Sequence, residues 1–201
     1  MARRSDHTRE ELIRLFLDSA RRFAEEDGLG GIVARRIARD VGYAAGTINN
    51  VFGSLDGLVI QLRIEILDEM YALCASIPLD AGPAENLHRL ASAYTEFVLA
   101  HPRLWGVLFE HRTLDPSEWD EQKILRLFGL VERAIASLFD EGEERARHHE
   151  ARVLVASLHG IVSLEITDKT GREESVQSLT ASLIDNYVFA LEARHRVDRQ
   201  A

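Results

Sequence analysis

Gly42 is the residue that most constrains what this 201-residue chain can fold into. Before it, Val33, Ile37, Ala38 and Val41 recur at helical spacing; after it, Ile48, Val51 and Phe52 resume an apolar face. A glycine at such a junction can take the left-handed conformation that ends a helix. Helices this short do not stand alone in water, so a third must bury the face they share.

The flanking sequence supplies it. Thr8 and Glu11 have the spacing of a capping box and open a helix running to about Glu26, with Leu12, Ile13, Phe16, Ala20, Phe23 and Ala24 on one face. Asp27-Gly28 and Gly30-Gly31 end it. Two helices joined by a glycine turn and backed by a third form the arrangement that presents a helix to the major groove of DNA. Arg35, Arg36 and Arg39 fall off the apolar face, and the short side chains of Ala44, Ala45 and Gly46 let the second helix approach a groove closely.

The run Ile37-Ala38, Gly42-Tyr43, Gly46-Thr47-Ile48, then Phe52 and Leu58, resembles the DNA-binding module of TetR-type transcriptional regulators over residues 9–69, with the helix-turn-helix at 33–52. The rest of the chain is similar to that family in architecture. The resemblance implies that Tyr43, Thr47 and Asn50 read base edges, that Ala44 and Ala45 touch thymine methyls, and that Arg35, Arg36 and Asn49 hold phosphates. The sequence departs from the family at Asn49, Val51 and Leu55, where aromatic, aromatic or histidine, and basic residues are common. Arg3 and Arg4 are expected to offset part of the missing positive charge.

Downstream, Ser54 can cap a longer helix carrying Leu58, Leu62, Ile66, Met70 and Leu73 and ending near Ile77-Pro78. Pro78, Gly82 and Pro83 mark a boundary, after which residues 78–201 form a second domain. Helical patterns follow over about 84–100, from Pro102, from Asp115-Pro116 to about Asp140, over 143–167 and over 174–194. No period-2 strand pattern interrupts them, so the expected fold is all-α with about nine helices. The helix at 143–167 is apolar over most of its later half, and burial on more than one side is expected. A two-fold homodimer pairing the last two helices with their copies would cover that surface and give two recognition helices for a two-fold double-stranded DNA operator. Gly160, in the penultimate helix, is open to three readings: close helix contact, a kink, or simple tolerance.

Charge is divided along the chain. Residues 1–53 hold nine arginines and eight acidic residues, a balance of +1, and the remaining 148 carry −10 of the total −9. An acidic body would be repelled by phosphates and so help orient the head. The family resemblance also implies a small-molecule effector inside the body, for which Tyr94, Trp105, Phe109, Phe128 and His159 are candidate contacts. His159 stands out because a histidine among Leu158, Ile161 and Val162 must find a partner or a cavity.

Other chemistries find little support. The single cysteine, Cys74, excludes an internal disulfide and a cysteine cluster for zinc, and neither a metal nor another cofactor is expected. No signal peptide or membrane span is visible, and a cytoplasmic location is expected. Glu85/His88 and Glu192/His195 have the Glu-x-x-His spacing of helix-bundle di-iron sites, but the second pair sits among arginines near the C-terminus. His148-His149 lacks a third ligand, and Ser163 lies outside any nucleophile motif. The expectation is therefore a non-enzymatic, ligand-responsive repressor released from its operator by a small molecule. The alternatives are a binding protein of the same fold without operator recognition, and a di-iron enzyme.

Overall fold

The computed structural model describes residues 7–110, 118–167 and 174–198. Arg3, Arg4 and the helix start expected at Asp115-Pro116 lie outside these. The described residues form nine α-helices and no strand: α1 Arg9–Asp27, α2 Ala34–Val41, α3 Gly46–Phe52, α4 Leu55–Ala75, α5 Pro83–Ala100, α6 Pro102–Glu110, α7 Glu118–Ala134, α8 Glu144–Ile166 and α9 Val176–Asp198.

Local chemistry sets the ends of these helices. At α1 the Glu11 amide donates to Thr8 Oγ1 at 3.2 Å, and the Thr8 amide donates to Glu11 Oε2 at 2.6 Å, so both halves of the capping box form. Gly42 closes α2 at φ 83°, in the left-handed region where a side chain would be strained. Ser54 Oγ accepts from the Gly57 amide at 2.9 Å and caps α4. Pro83 and Pro102 occupy first helical positions, where a missing N–H costs nothing.

The chain divides into two compact units. One comprises the described residues up to Asp68 together with those described between His101 and Asp120; the other comprises Glu69–Ala100 with the described residues from Glu121 onward. The sequence division at 9–69 and 78–201 thus differs from the structure on α6. Leu104, Trp105, Val107 and Leu108 of α6 are buried, and the helix packs on α1 within the first unit. Arg103 Nη1 donates to the Glu25 carbonyl at 3.2 Å and to that of Glu26, using oxygens that the end of α1 leaves without helical partners.

In the first unit Phe16, Ala20, Ala24, Ile37, Ile48, Leu58 and Leu62 are fully buried. In the second, polar clamps join helices around an apolar interior. His88 Nε2 meets Asp185 Oδ1 at 2.7 Å between α5 and α9, and His148 Nδ1 meets Glu132 Oε1 at 2.6 Å between α7 and α8. The Tyr187 hydroxyl donates to Glu150 between α9 and α8. Burial and the adjacent Glu150 carboxylate push the Tyr187 phenol well above its ordinary range.

One register expectation needs correction. The apolar stripe of α4 continues from Met70 to the buried Cys74 and not to Leu73, which is 40% exposed. The stripe Leu58, Leu62, Ile66, Met70 advances by four throughout, and the next step is 74. Toward its other end, α7 stops at Ala134 and gives way to a 3-10 turn at Ala136–Leu138, short of Asp140.

Candidate nucleic-acid interface and effector cavity

Phe16 is the pivot of the head. Its ring meets Tyr43 at 6.2 Å and Phe52 edge-on at 6.2 Å, so one buried side chain of α1 holds both ends of the segment that contains α3. Ile48 is the fully buried residue of α3, and the positions around it are directed away from this core: Ala44, Gly46, Asn49 and Asn50 are exposed, while Ala45 and Thr47 are half-buried. Of the residues expected to read bases, Thr47 and Asn50 lie on α3, the first half-buried and the second exposed, whereas Tyr43 lies in the turn before it. Among the described residues, nothing beyond the local helix backbone and chain neighbours lies within 4 Å of a Cβ placed on Gly46.

Tyr43 behaves differently from its neighbours. It is half-buried, and its hydroxyl bonds His7 Nδ1 at 2.7 Å, linking the chain before α1 to the turn before α3. Arg9 adds a second link, its Nη2 donating to the Val51 carbonyl at 3.0 Å. Sequence reasoning did not single out His7 or Arg9. The available signal was their position at the N-terminus of the helix that had to support the turn.

The three arginines of α2 also part company. Arg36 pairs with Glu26 at 2.9 Å and with Asp27, and its guanidinium lies 3.9 Å from the centre of the Phe23 ring. Its fork and its face are both engaged within the head. Arg35 and Arg39, four residues apart and exposed, have no ion-pair partner among the described residues. They border a surface recess with Phe23, Val33 and Asp40. Arg39, absent from the expected contact set, is thus as available as Arg35. Asp40 accepts from Ser19 Oγ at 2.6 Å and from Arg22. The Ser19 hydroxyl and then the Arg22 guanidinium hold its carboxyl below the usual range.

The second unit contains a cavity of about 110 Å³. Its walls come from Met70 and Cys74 of α4, Leu90, Ala91 and Tyr94 of α5, Leu127 and Leu130 of α7, Leu154 and Leu158 of α8, and Leu183 and Ile184 of α9. Of the five aromatic or histidine candidates only Tyr94 lines it. Its hydroxyl lies 3.4 Å from His159 Nδ1, so His159 stands behind Tyr94, and burial lowers the imidazole pKa and favours the neutral ring. Phe128 is half-buried, with Arg152 over its ring at 5.7 Å. Trp105 and Phe109 belong to the first unit, where their rings meet at 4.8 Å; Trp105 is buried and Phe109 is half exposed. Rings stand out in the sequence, whereas most of the wall is aliphatic and carries no signal distinguishing it from core.

Cys74 sits in this wall with its thiol pushed up to about 11 by burial, which keeps it protonated and unreactive. Glu85 is engaged by Arg89 at 2.9 Å and His88 by Asp185 at 2.7 Å, so the two members of this Glu-x-x-His pair make separate contacts. The side chain of His195, in the other pair, lies outside those described. Among the described residues no group of three or more His, Cys, Asp or Glu is placed to hold a metal ion, and no helix is long and apolar enough to cross a membrane.

The fold is similar to solved structures along nearly its whole length. A protein of unknown function from Rhodococcus sp. RHA1 is 20% identical with a TM-score of 0.74, over 95% of this chain and 100% of that one. A TetR transcriptional regulator from the same organism is 16% identical with a TM-score of 0.67, over 89% and 97%. A TetR-family transcriptional regulator from Streptomyces coelicolor is 17% identical with a TM-score of 0.66, over 94% and 82%. A search of curated proteins finds no match. At these identities the structural likeness speaks for the fold alone. The family model described as Tetracyclin repressor-like, C-terminal domain, however, matches residues 87–187, half of the chain and the part that holds four of the five cavity walls. With that match over the body and the helix-turn-helix in the head, the chain belongs to the TetR family of transcriptional regulators.

Proposed function

We propose that this regulator binds a two-fold DNA operator as a homodimer and is released from it by a small molecule held in the body. The observation that carries this reading is the continuity of α4. Its first turn is pressed against the end of α3, where a Cβ on Gly57 would overlap the Phe52 carbonyl oxygen. Its last turns place Met70 and Cys74 in the cavity wall. An occupant that prefers one setting of those turns acts on the helix whose first turn adjoins the recognition helix. Differential affinity for two settings is all that release requires.

Base reading falls to Thr47 and Asn50, with Ala44 and Ala45 against thymine methyls, and phosphate holding to Arg35, Arg39 and Asn49. Arg36 and Tyr43 support the head from within. A second copy covers the outer face of α8, where Ala156, Gly160 and Leu164 recur every four residues and are all exposed, Leu164 at 46%. Among the described residues beyond its own helix backbone, a Cβ on Gly160 meets nothing within 4 Å, so the small residues leave room for a helix from a second copy. Phe189 of α9, 67% exposed, adds a large ring for the same occupant.

The test is fluorescence anisotropy with DNA from upstream of the protein's own gene, over a range of salt, beside sedimentation of the free protein. The expected result is a dimer that binds one two-fold site with an affinity falling steeply with salt. Val51 and Leu55, which offer no charge to a phosphate, motivate a second reading in which the fold is kept and operator recognition is lost. A dimer that binds none of this DNA would favour it.

A further inference from the structure

We infer that the body cavity selects an uncharged, ring-sized hydrocarbon skeleton bearing a single hydrogen-bonding group directed at Tyr94. This inference rests on the effector reading above and adds the chemistry of the effector. The volume of about 110 Å³ is of the order that admits one small ring, as an engineered apolar cavity of about 150 Å³ takes up benzene. The residues that line it include no Asp, Glu, Lys, Arg or His. An ionised carboxylate or amine entering it would lose its water with no opposite charge in the wall to replace it. The Tyr94 hydroxyl is the strong hydrogen-bonding side-chain group of the wall, and it is poised against His159. Burial disfavours a charged imidazole there, so the pair offers a neutral donor and acceptor and no counter-ion. The Cys74 thiol, kept protonated by burial, adds a small soft surface to the wall.

The experiment is isothermal titration calorimetry on the full-length protein without DNA, using three probes of one shape: toluene, p-cresol and 4-methylbenzoate. Toluene and p-cresol are expected to bind, p-cresol roughly tenfold tighter, and 4-methylbenzoate at least roughly 100-fold weaker than p-cresol. Tyr94→Phe should remove the advantage of p-cresol and leave toluene unchanged. Ala91→Leu, which fills the cavity, should abolish heat from both while circular dichroism stays helical. Binding of 4-methylbenzoate as tight as that of p-cresol would overturn the inference, as would p-cresol binding indifferent to both substitutions or absent from the wild-type protein. The effector reading fails separately: p-cresol would bind as described, yet saturating p-cresol would leave operator affinity unchanged.

Discussion

Head and body are built from the same material, amphipathic helices of about two to six turns, but they spend their apolar side chains differently. The head closes around Phe16, whose ring touches Tyr43 and Phe52, and its central residues are fully buried. The body brings five helices together around leucines and leaves about 110 Å³ between them. A filled core fixes the orientation of a helix; an unfilled one can respond to a guest. The division matches what the proposed function asks of each part: α3 would keep its face, whereas the far end of α4 would settle in more than one place.

Substitutions that change volume test this contrast most strongly. Phe16→Ala should destabilise the head by about 3–5 kcal/mol, seen as a fall in melting temperature and loss of DNA binding together. Adding volume separates the two units. Ala20→Leu, at a fully buried position on α1, should cost about 1–3 kcal/mol in denaturant unfolding. Ala91→Leu, facing the cavity, should cost less than about 1 kcal/mol or stabilise the protein. Equal penalties for the two alanines would remove the distinction between filled and unfilled cores.

Two smaller effects sharpen the view of the head. Arg35→Ala should lower the salt slope of operator binding by about 0.9 per half-site, as loss of one phosphate contact does. Arg36→Ala should leave the slope unchanged and act only on stability, because its guanidinium is occupied by Glu26, Asp27 and Phe23. The last effect concerns pH. Asp40 has its pKa lowered in the folded head by Ser19 and Arg22, so its contribution is fully present above the unfolded value near 3.8 and is lost as pH falls through the folded value. Since Asp40 remains partly exposed, that contribution should be below about 1 kcal/mol, and Asp40→Asn should flatten the part of the stability profile below the unfolded value near 3.8.

The head was the more legible part of the sequence, for a physical reason. Its elements are ended by residues whose chemistry is local: Thr8 with Glu11, Gly42 at positive φ, Ser54 at the start of α4. Local chemistry can be read without knowing what packs on what. The placement of α6 with the head could not be read in this way, because Trp105 and Leu108 would suit any apolar neighbour. The same holds for the cavity wall, where Leu127 or Leu183 looks like core until the helices are assembled. Tyr94 and His159 were visible as polar groups on apolar faces; that one lines the cavity and the other stands behind it is a matter of helix packing. The engagement of Arg36 likewise depends on acidic residues brought from the end of α1, and its charge alone made it look equivalent to Arg35. The stripe on α4 illustrates a simpler lapse, since strict four-residue spacing led to Cys74 and not to Leu73.

The central claim is that α3 reads DNA with the side chains around Thr47 and Asn50, held in place from behind by Phe16. Anisotropy titration of the Thr47→Ala, Asn50→Ala double variant against the operator, with sedimentation and melting checked in parallel, tests it most directly. The account predicts a loss of affinity of roughly 100-fold or more with the dimer and the melting temperature unchanged. Wild-type affinity in that folded, dimeric variant would contradict it.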